Sequence, residues 1–214
     1  MGLKRIILEP GNTYHIYNQS VGWDTIFREE ENYRFFLSKL IPRISPFSDI
    51  LSYCLIPNQF HFIIRLKEKE VLVNLFQDKM NLLKTKRIKI NSEKTADNFL
   101  IDSVIINEFR NFFNSYVQAV NKVYRRYGSL LKESFQRKIV TSDTHLLKLI
   151  CYVHNNPVAH GVTSQRENWK YSSYHDILHH RRSFVLIEDV LHLFEDAEKF
   201  THVHDGFLRS GYGI

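Results

Sequence analysis

The hydrophobic pattern predicts an alternation of strands and helices in the first third of the chain. Residues 13–21 are rich in β-branched and aromatic side chains, as is typical of a strand. Residues 29–41 place apolar side chains at helical spacing after acidic residues, which predicts a helix that Pro42 ends. Apolar runs at 50–56 and 60–66 flank a Pro-Asn pair and predict a β-hairpin.

The second half of the pattern predicts further helices and one more strand. Apolar side chains recur at helical spacing over 68–79 and over 105–127, and the second stretch is the longest helical pattern. Residues 134–140 alternate as a strand does. Helix-capping residues at 141–143 then open a helix that Pro157 is expected to end.

This order of elements predicts an α+β domain whose antiparallel sheet is covered by helices on one face. The other face is then open to a ligand. A polar, lysine-rich stretch at 84–98 suggests a basic inserted segment near 80–106. The chain shows no internal repeat and no second segment with a core of its own.

The amino-acid composition indicates a class of binding partner and a cell compartment. Of 214 residues 43% are hydrophobic, enough for a core, and the 29 Lys and Arg residues outnumber the 23 Asp and Glu residues to give a net charge of +6. That surplus favours an anionic partner, nucleic acid first, although an ordinary basic protein is the simpler alternative. The two cysteines lie apart in apolar runs, which suits a reducing cytosol, and no signal peptide or membrane span is expected.

A first candidate site lies in the second half of the hairpin. On a strand, Gln59 and His61 point to the same face, so an amide oxygen and an imidazole nitrogen could hold one divalent ion. The simpler alternative is a histidine at the end of an apolar strand that a neighbouring side chain satisfies.

A second candidate site lies on the helix before Pro157. Tyr152 and Asn156 are four residues apart and share one face of the helix. A tyrosine hydroxyl beside a metal-ligating amide could attack a phosphate and form a covalent tyrosyl–phosphate. The alternative is a tyrosine that faces the core and an asparagine that merely ends the helix.

Two other features compete for the roles of metal ligand and nucleophile. His202 and His204 form a literal His-x-His, but they follow a helical pattern without a flanking strand, and we expect solvent-exposed tail histidines. Tyr116 is the strongest rival nucleophile because Gln118 and Asn121 are near it in sequence. No metal-ligating amide follows Tyr116 at four residues, so Tyr152 is preferred.

Taken together, these segments resemble the REP-associated tyrosine transposases and the related single-tyrosine HUH transposases of the IS200-like type. The similar segments are YHIYNQS, IPNQFHFIIRL, SFQRK, YVHNNPVAHGV and WKYSSY, in this order over about 13–178. In SFQRK, Phe135, Gln136 and Arg137 match an FQGR-like element. The pairing of IPNxFH with YxxxNPV is more specific than either motif alone.

The resemblance implies a ferredoxin-like fold of the HUH endonuclease type over residues 1–178, with 179–214 as a C-terminal extension packing on it. It implies that His61 is the second metal histidine, Tyr152 the nucleophile and Asn156 a third ligand. Mg²⁺ or Mn²⁺ would assist cleavage of single-stranded DNA, leaving a 5′-phosphotyrosine and a free 3′-hydroxyl. The family's first metal histidine is replaced here by Gln59, a weaker neutral ligand, which puts metal affinity in question.

The sequence therefore predicts a cytoplasmic, nucleoid-associated protein that binds folded single-stranded DNA hairpins and cleaves and rejoins strands. A non-catalytic DNA-binding descendant with a degraded metal site is the alternative, and RNA binding is a weaker one because no RNP-like aromatic signature occurs. The sequence leaves a homodimer open. Tyr17 and Trp23 could stack on unpaired bases. The predicted phosphate contacts are Lys122, Arg125, Arg126, Arg137 and Lys138.

Overall fold

The structure, a computed structural model, describes residues 6–85, 93–132 and 135–209. Within them, an antiparallel sheet contains four strands in the order β2-β3-β1-β4. This order, with helices between the strands, confirms the predicted α+β, ferredoxin-like fold class. The strands are β1 (Thr13–Gln19), β2 (Ser48–Ile56), β3 (Gln59–Leu66) and β4 (Gln136–Ile139).

The predicted hairpin is confirmed, and its register determines which side chains meet. Residues 57 and 58 form the turn between β2 and β3. The central strand β1 pairs with β3 on one side and with β4 on the other, and this pairing sets Tyr17 opposite His61. Because side chains alternate along strands, His15 and Tyr17 share a face with His61, while Ile16 and Asn18 share the other face.

Three helices cover the face of the sheet that carries Ile16. They are α1 (Glu30–Ile44), α2 (Lys69–Thr85) and α3 (Glu93–Val123). Phe36 of α1 contacts both Phe60 of β3 and Phe112 of α3, so aromatic rings join the sheet to its helices. The prediction that Pro42 ends α1 is wrong: the helix continues to Ile44, whose side chain is fully buried in the core.

The helices on either side of the predicted basic insertion near 80–106 extend into it. Helix α2 continues to Thr85, and α3 begins at Glu93, twelve residues before the predicted start at 105. Leu100, Ile101 and Ile105 are fully buried, because the apolar stripe of α3 extends back through them. Residues 86–92 lie outside the described part of the chain.

The second face of the sheet also carries a long helix, whereas the sequence predicted helices on one face only. Helix α4 (Asp143–Ala159) packs over β2, and the Ser142 hydroxyl caps it by accepting from the backbone N–H of His145. Pro157 does not end this helix as predicted but lies buried inside it. An open cavity lies on the part of this face that β1 and β4 form.

The last part of the chain packs around α4. A short 3-10 helix (Arg166–Asn168) is followed by α5 (Tyr174–Leu178), α6 (Ile187–Phe194) and α7 (Ala197–Arg209). The expected solvent-exposed histidine tail is wrong for His204, which is fully buried on α7, whereas His202 is exposed. None of the helices in the described ranges has the length and apolar character needed to cross a membrane.

Candidate active site

His61 is held between two side chains at the centre of the sheet. Its Nε2 lies 3.3 Å from Gln59 Oε1 on the same strand, and its Nδ1 lies 2.9 Å from His15 Nε2 on the neighbouring strand. The proton of a neutral His61 can lie on Nε2, donating to Gln59, or on Nδ1, donating to His15 Nε2; the second tautomer leaves the Nε2 lone pair facing Gln59. Both imidazoles are therefore oriented by hydrogen bonds.

Two tyrosines complete the surroundings of this histidine pair. The Tyr17 ring stacks on His15 with centroids 4.5 Å apart, and the Tyr152 ring meets His61 edge-on at 5.6 Å. These groups surround an open cavity of about 310 Å³, which we call the tyrosine pocket. It is lined by His15, Tyr17, His61, Lys138, His145, Leu149 and Tyr152.

Asn156 is fixed one helical turn from Tyr152. Its Nδ2 donates to the Tyr152 backbone carbonyl at 3.1 Å, and its Oδ1 is buried without a hydrogen-bond partner among the described residues. Tyr152, Asn156 and His160 are spaced four residues apart and therefore share one side of α4. His61 contacts Tyr152 and is close enough to His160 for a charge there to lower the pKa of His61, so Asn156 lies along the same side of the helix.

Burial keeps both histidines of the pair neutral. Desolvation, followed by repulsion from His160, lowers the pKa of His61 to about 3. Burial likewise lowers the pKa of His15 well below that of an exposed histidine, with His61, Lys138 and His145 as further causes. Burial raises the pKa of Tyr17. A neutral imidazole retains the lone pair that a metal ion or a proton requires.

The donors present fit a divalent ion that is weakly held. His61 offers an imidazole nitrogen and Gln59 an amide oxygen beside it, while the unpartnered Oδ1 of Asn156 is the kind of buried acceptor that a cation would satisfy. All three donors are neutral. In the described part of the chain, no group of three or more His, Cys, Asp or Glu residues could hold a metal ion.

The rival nucleophile Tyr116 is not accessible. Its side chain is 1% exposed, and its hydroxyl donates to the Ile26 carbonyl at 3.0 Å on the opposite face of the sheet. Burial raises its pKa, which disfavours the phenolate. Tyr152, by contrast, is half-buried and lines a pocket.

His204, the buried histidine of the His-x-His motif, takes part in a separate hydrogen-bond network. His204 Nε2 lies 2.9 Å from His154 Nδ1, and His154 Nε2 lies 2.8 Å from Ser173 Oγ. Arg166 joins the same region by donating to Asn155 Oδ1. This network fastens α7 to α4.

The predicted phosphate contacts are dispersed. Lys138 lines the tyrosine pocket, with its ammonium 6.0 Å from the centre of the Tyr17 ring, whereas Arg137 lies on the opposite face of the sheet and donates to the Ile6 carbonyl. Arg126 pairs with Asp24. Three other predicted contacts, for phosphates or bases, are exposed and do not line the tyrosine pocket: Lys122, Arg125 and Trp23.

Sequence reasoning missed His15 and His145 as pocket residues. His15 is two residues before Tyr17, so the alternation of a strand already places both on one face. What the sequence could not supply was the pairing of β1 with β3, which brings that face against His61. His145 lies seven residues before Tyr152, a spacing that also shares a helix face.

Comparison with known proteins supports the fold. No protein-family model matches the chain, and no curated protein matches it significantly. Among solved structures, the chain is similar to a REP-associated tyrosine transposase bound to a REP hairpin, with 14% identity and a TM-score of 0.57. The similarity covers 89% of this chain and 93% of that one. The resemblance predicted from the sequence is thus confirmed at the level of structure, and this chain has the fold of a REP-associated tyrosine transposase.

Proposed function

We propose that the protein binds folded single-stranded DNA hairpins and cleaves and rejoins a strand through a covalent bond to Tyr152. The observation that carries this proposal is the meeting of two sequence-distant candidates, His61 and Tyr152, whose rings lie 5.6 Å apart in one open pocket. A nucleophile beside a possible metal ligand is the arrangement that phosphoryl transfer to tyrosine requires.

Charge and structural similarity support a DNA substrate. The net charge is +6, and Lys138 provides a cation at the pocket where a phosphate would approach Tyr152. The similar solved protein is bound to a REP hairpin. The half-buried ring of Tyr17 offers a flat surface for an unpaired base.

In the proposed reaction, the Tyr152 phenolic oxygen bonds to the phosphorus of a phosphodiester as the bond to the 3′-oxygen breaks. The phenol loses its proton, and the departing 3′-oxygen gains one. Rejoining is the reverse step with an incoming 3′-hydroxyl. His61, Gln59 and Asn156 would hold Mg²⁺ or Mn²⁺, which would polarise the phosphate when bound. Asn156 also fixes the turn of α4 that carries Tyr152.

A second candidate function is DNA binding without cleavage. Gln59 stands where the family pattern has a histidine, which favours this function because an amide oxygen holds Mn²⁺ more weakly than an imidazole does. Both functions predict binding that weakens steeply as salt increases, because phosphate contacts release counterions.

The experiment that tests this proposal uses end-labelled hairpins from the inverted repeats that flank the gene. The purified protein is incubated with them in a Mn²⁺ series, and nicked DNA is separated on a denaturing gel. Nicks with a free 3′-hydroxyl support strand transfer. Hairpin binding without nicks at any Mn²⁺ concentration favours the non-catalytic function, and absence of binding rejects both.

A further inference from the structure

A second cavity lies on the other face of the sheet, behind the tyrosine pocket. It measures about 330 Å³, which is at the lower end of the range for small-ligand sites. Arg110, Phe113, Asn114 and Gln118 line it from one stripe of α3, and Arg137 of β4 lines the opposite wall. We call it the amide pocket, after Asn114 and Gln118.

The wall of the amide pocket opposite α3 is held by hydrogen bonds that need no ligand. The backbone N–H of Lys132 donates to the Gln19 carbonyl at 3.0 Å, and Asn18 Nδ2 donates to the Lys132 carbonyl at 3.2 Å. Arg137 is fixed by its hydrogen bond to the Ile6 carbonyl and lies over the Phe135 ring at 5.6 Å. The cavity is therefore preformed.

The chemistry of the lining selects a class of ligand. Arg110, Lys132 and Arg137 give three cationic side chains, and the described part of the lining contains no carboxylate. Asn114 and Gln118 each offer an amide donor and an amide acceptor, the pair of groups that reads the edge of a base. Phe113 and Phe135 add two rings with centroids 5.7 Å apart. Cations, amides and aromatic rings together suit a nucleotide.

The position of the pocket indicates where that nucleotide comes from. On β4, Arg137 lines the amide pocket and the next residue, Lys138, lines the tyrosine pocket. On β1, Asn18 lines the amide pocket and the preceding residue, Tyr17, lines the tyrosine pocket. The pockets therefore lie back to back across the outer edge of the sheet, where β4 is the last strand. A single strand passing over this edge reaches both pockets within a few nucleotides.

We propose that the amide pocket binds one unpaired nucleotide of the same DNA strand whose phosphodiester lies at Tyr152. The pocket would then select the sequence at a fixed distance from the cleavage point, while the tyrosine pocket is indifferent to sequence. This inference rests on the proposed function, because it assumes that single-stranded DNA is the substrate.

The test places 5-iododeoxyuridine, one position at a time, in the unpaired extensions of the gene-flanking hairpin. After irradiation, mass spectrometry of the full-length protein identifies the crosslinked peptide. We expect one position, a few nucleotides from the nick, to crosslink to Phe113 or Phe135. Crosslinks confined to the peptides around Tyr17 and Tyr152 would overturn the inference.

A double variant tests whether the two amides contact the base of the bound nucleotide. Asn114→Ala with Gln118→Ala removes both amides from exposed positions, so folding is preserved, and affinity for the extended hairpin should fall about tenfold. Affinity for the hairpin without extensions should not change. Asn111→Ala, an exposed amide of the same helix outside the pocket, is the matched control.

The outcomes separate this inference from the proposed function. Wild-type affinity of the double variant for the extended hairpin, with nicking retained, would reject the amide pocket and leave the function standing. Wild-type protein that neither binds nor nicks the hairpin would reject the proposed function, and this inference with it.

Discussion

His15 Nε2 and His61 Nδ1 lie 2.9 Å apart across two neighbouring strands, and both imidazoles are buried. The contact fixes the orientation of His61, so that its other nitrogen points along the strand to Gln59. With its proton on Nδ1, His61 would donate to His15 and present its Nε2 lone pair towards Gln59, as metal-ligating histidines do. His15 is therefore a positioning residue for His61.

Removing His15 should destabilise the protein and disorder the pocket. His15→Leu leaves His61 Nδ1 buried without its hydrogen-bond partner, which should cost about 1–3 kcal/mol of the free energy of unfolding. Urea unfolding followed by circular dichroism measures this. The exposed His192 provides the matched control, since His192→Leu should change stability by less than about 0.5 kcal/mol. Equal effects of the two substitutions would contradict the role given to His15.

Gln59→His should strengthen the metal site. An imidazole binds Mn²⁺ more tightly than an amide oxygen does, so the variant should nick hairpin DNA at a lower Mn²⁺ concentration than the wild type. A Mn²⁺ titration of both proteins on the same labelled hairpin measures the shift. An unchanged Mn²⁺ requirement would show that Gln59 is not a ligand.

The sequence predicted the fold class and the two halves of the site, because both depend on local pattern. Period-two alternation placed Gln59 and His61 on one face, and a four-residue spacing placed Tyr152 and Asn156 together. The wrong predictions concern tertiary context. Burial of Ile44 carries α1 past Pro42, and burial of Leu100 and Ile101 extends α3 before the predicted start at 105. His15 was missed, and His204 was wrongly predicted to be exposed, because their partners come from distant elements.

The buried histidine network should make stability depend on pH. Burial lowers the pKa of His204 to about 3, with the neighbouring Arg166 lowering it further and the Phe200 carbonyl and Asp205 opposing. His154 faces it and is neutral for the same reason. An unfolded histidine has a pKa of about 6.5, so below that pH only the unfolded chain gains the proton. The free energy of unfolding should therefore fall as pH falls from about 6.5 towards 3.

His204→Gln tests this pH dependence. One such histidine contributes a slope of up to about 1.4 kcal/mol per pH unit, so the variant should lose less stability than the wild type between pH 6.5 and 5. Urea unfolding at both pH values measures the difference. His202→Gln, an exposed neighbour on the same helix, should behave as the wild type. Identical pH dependence in all three proteins would contradict the assignment.

The tyrosine pocket contains two hydroxyls, those of Tyr17 and Tyr152, and the proposed nucleophile is Tyr152. Tyr152 lies on α4 beside Asn156, whereas Tyr17 stacks on His15 from β1. Each tyrosine can be changed to phenylalanine with the ring retained. Only the variant that lacks the nucleophilic oxygen should lose the bond to phosphorus.

The most direct test is therefore the covalent adduct between the protein and labelled hairpin DNA in Mn²⁺, with the modified peptide identified by mass spectrometry. We expect that wild-type protein and Tyr17→Phe form the adduct, that it maps to Tyr152, and that Tyr152→Phe binds the hairpin without forming it. An adduct that persists in Tyr152→Phe would contradict the central claim.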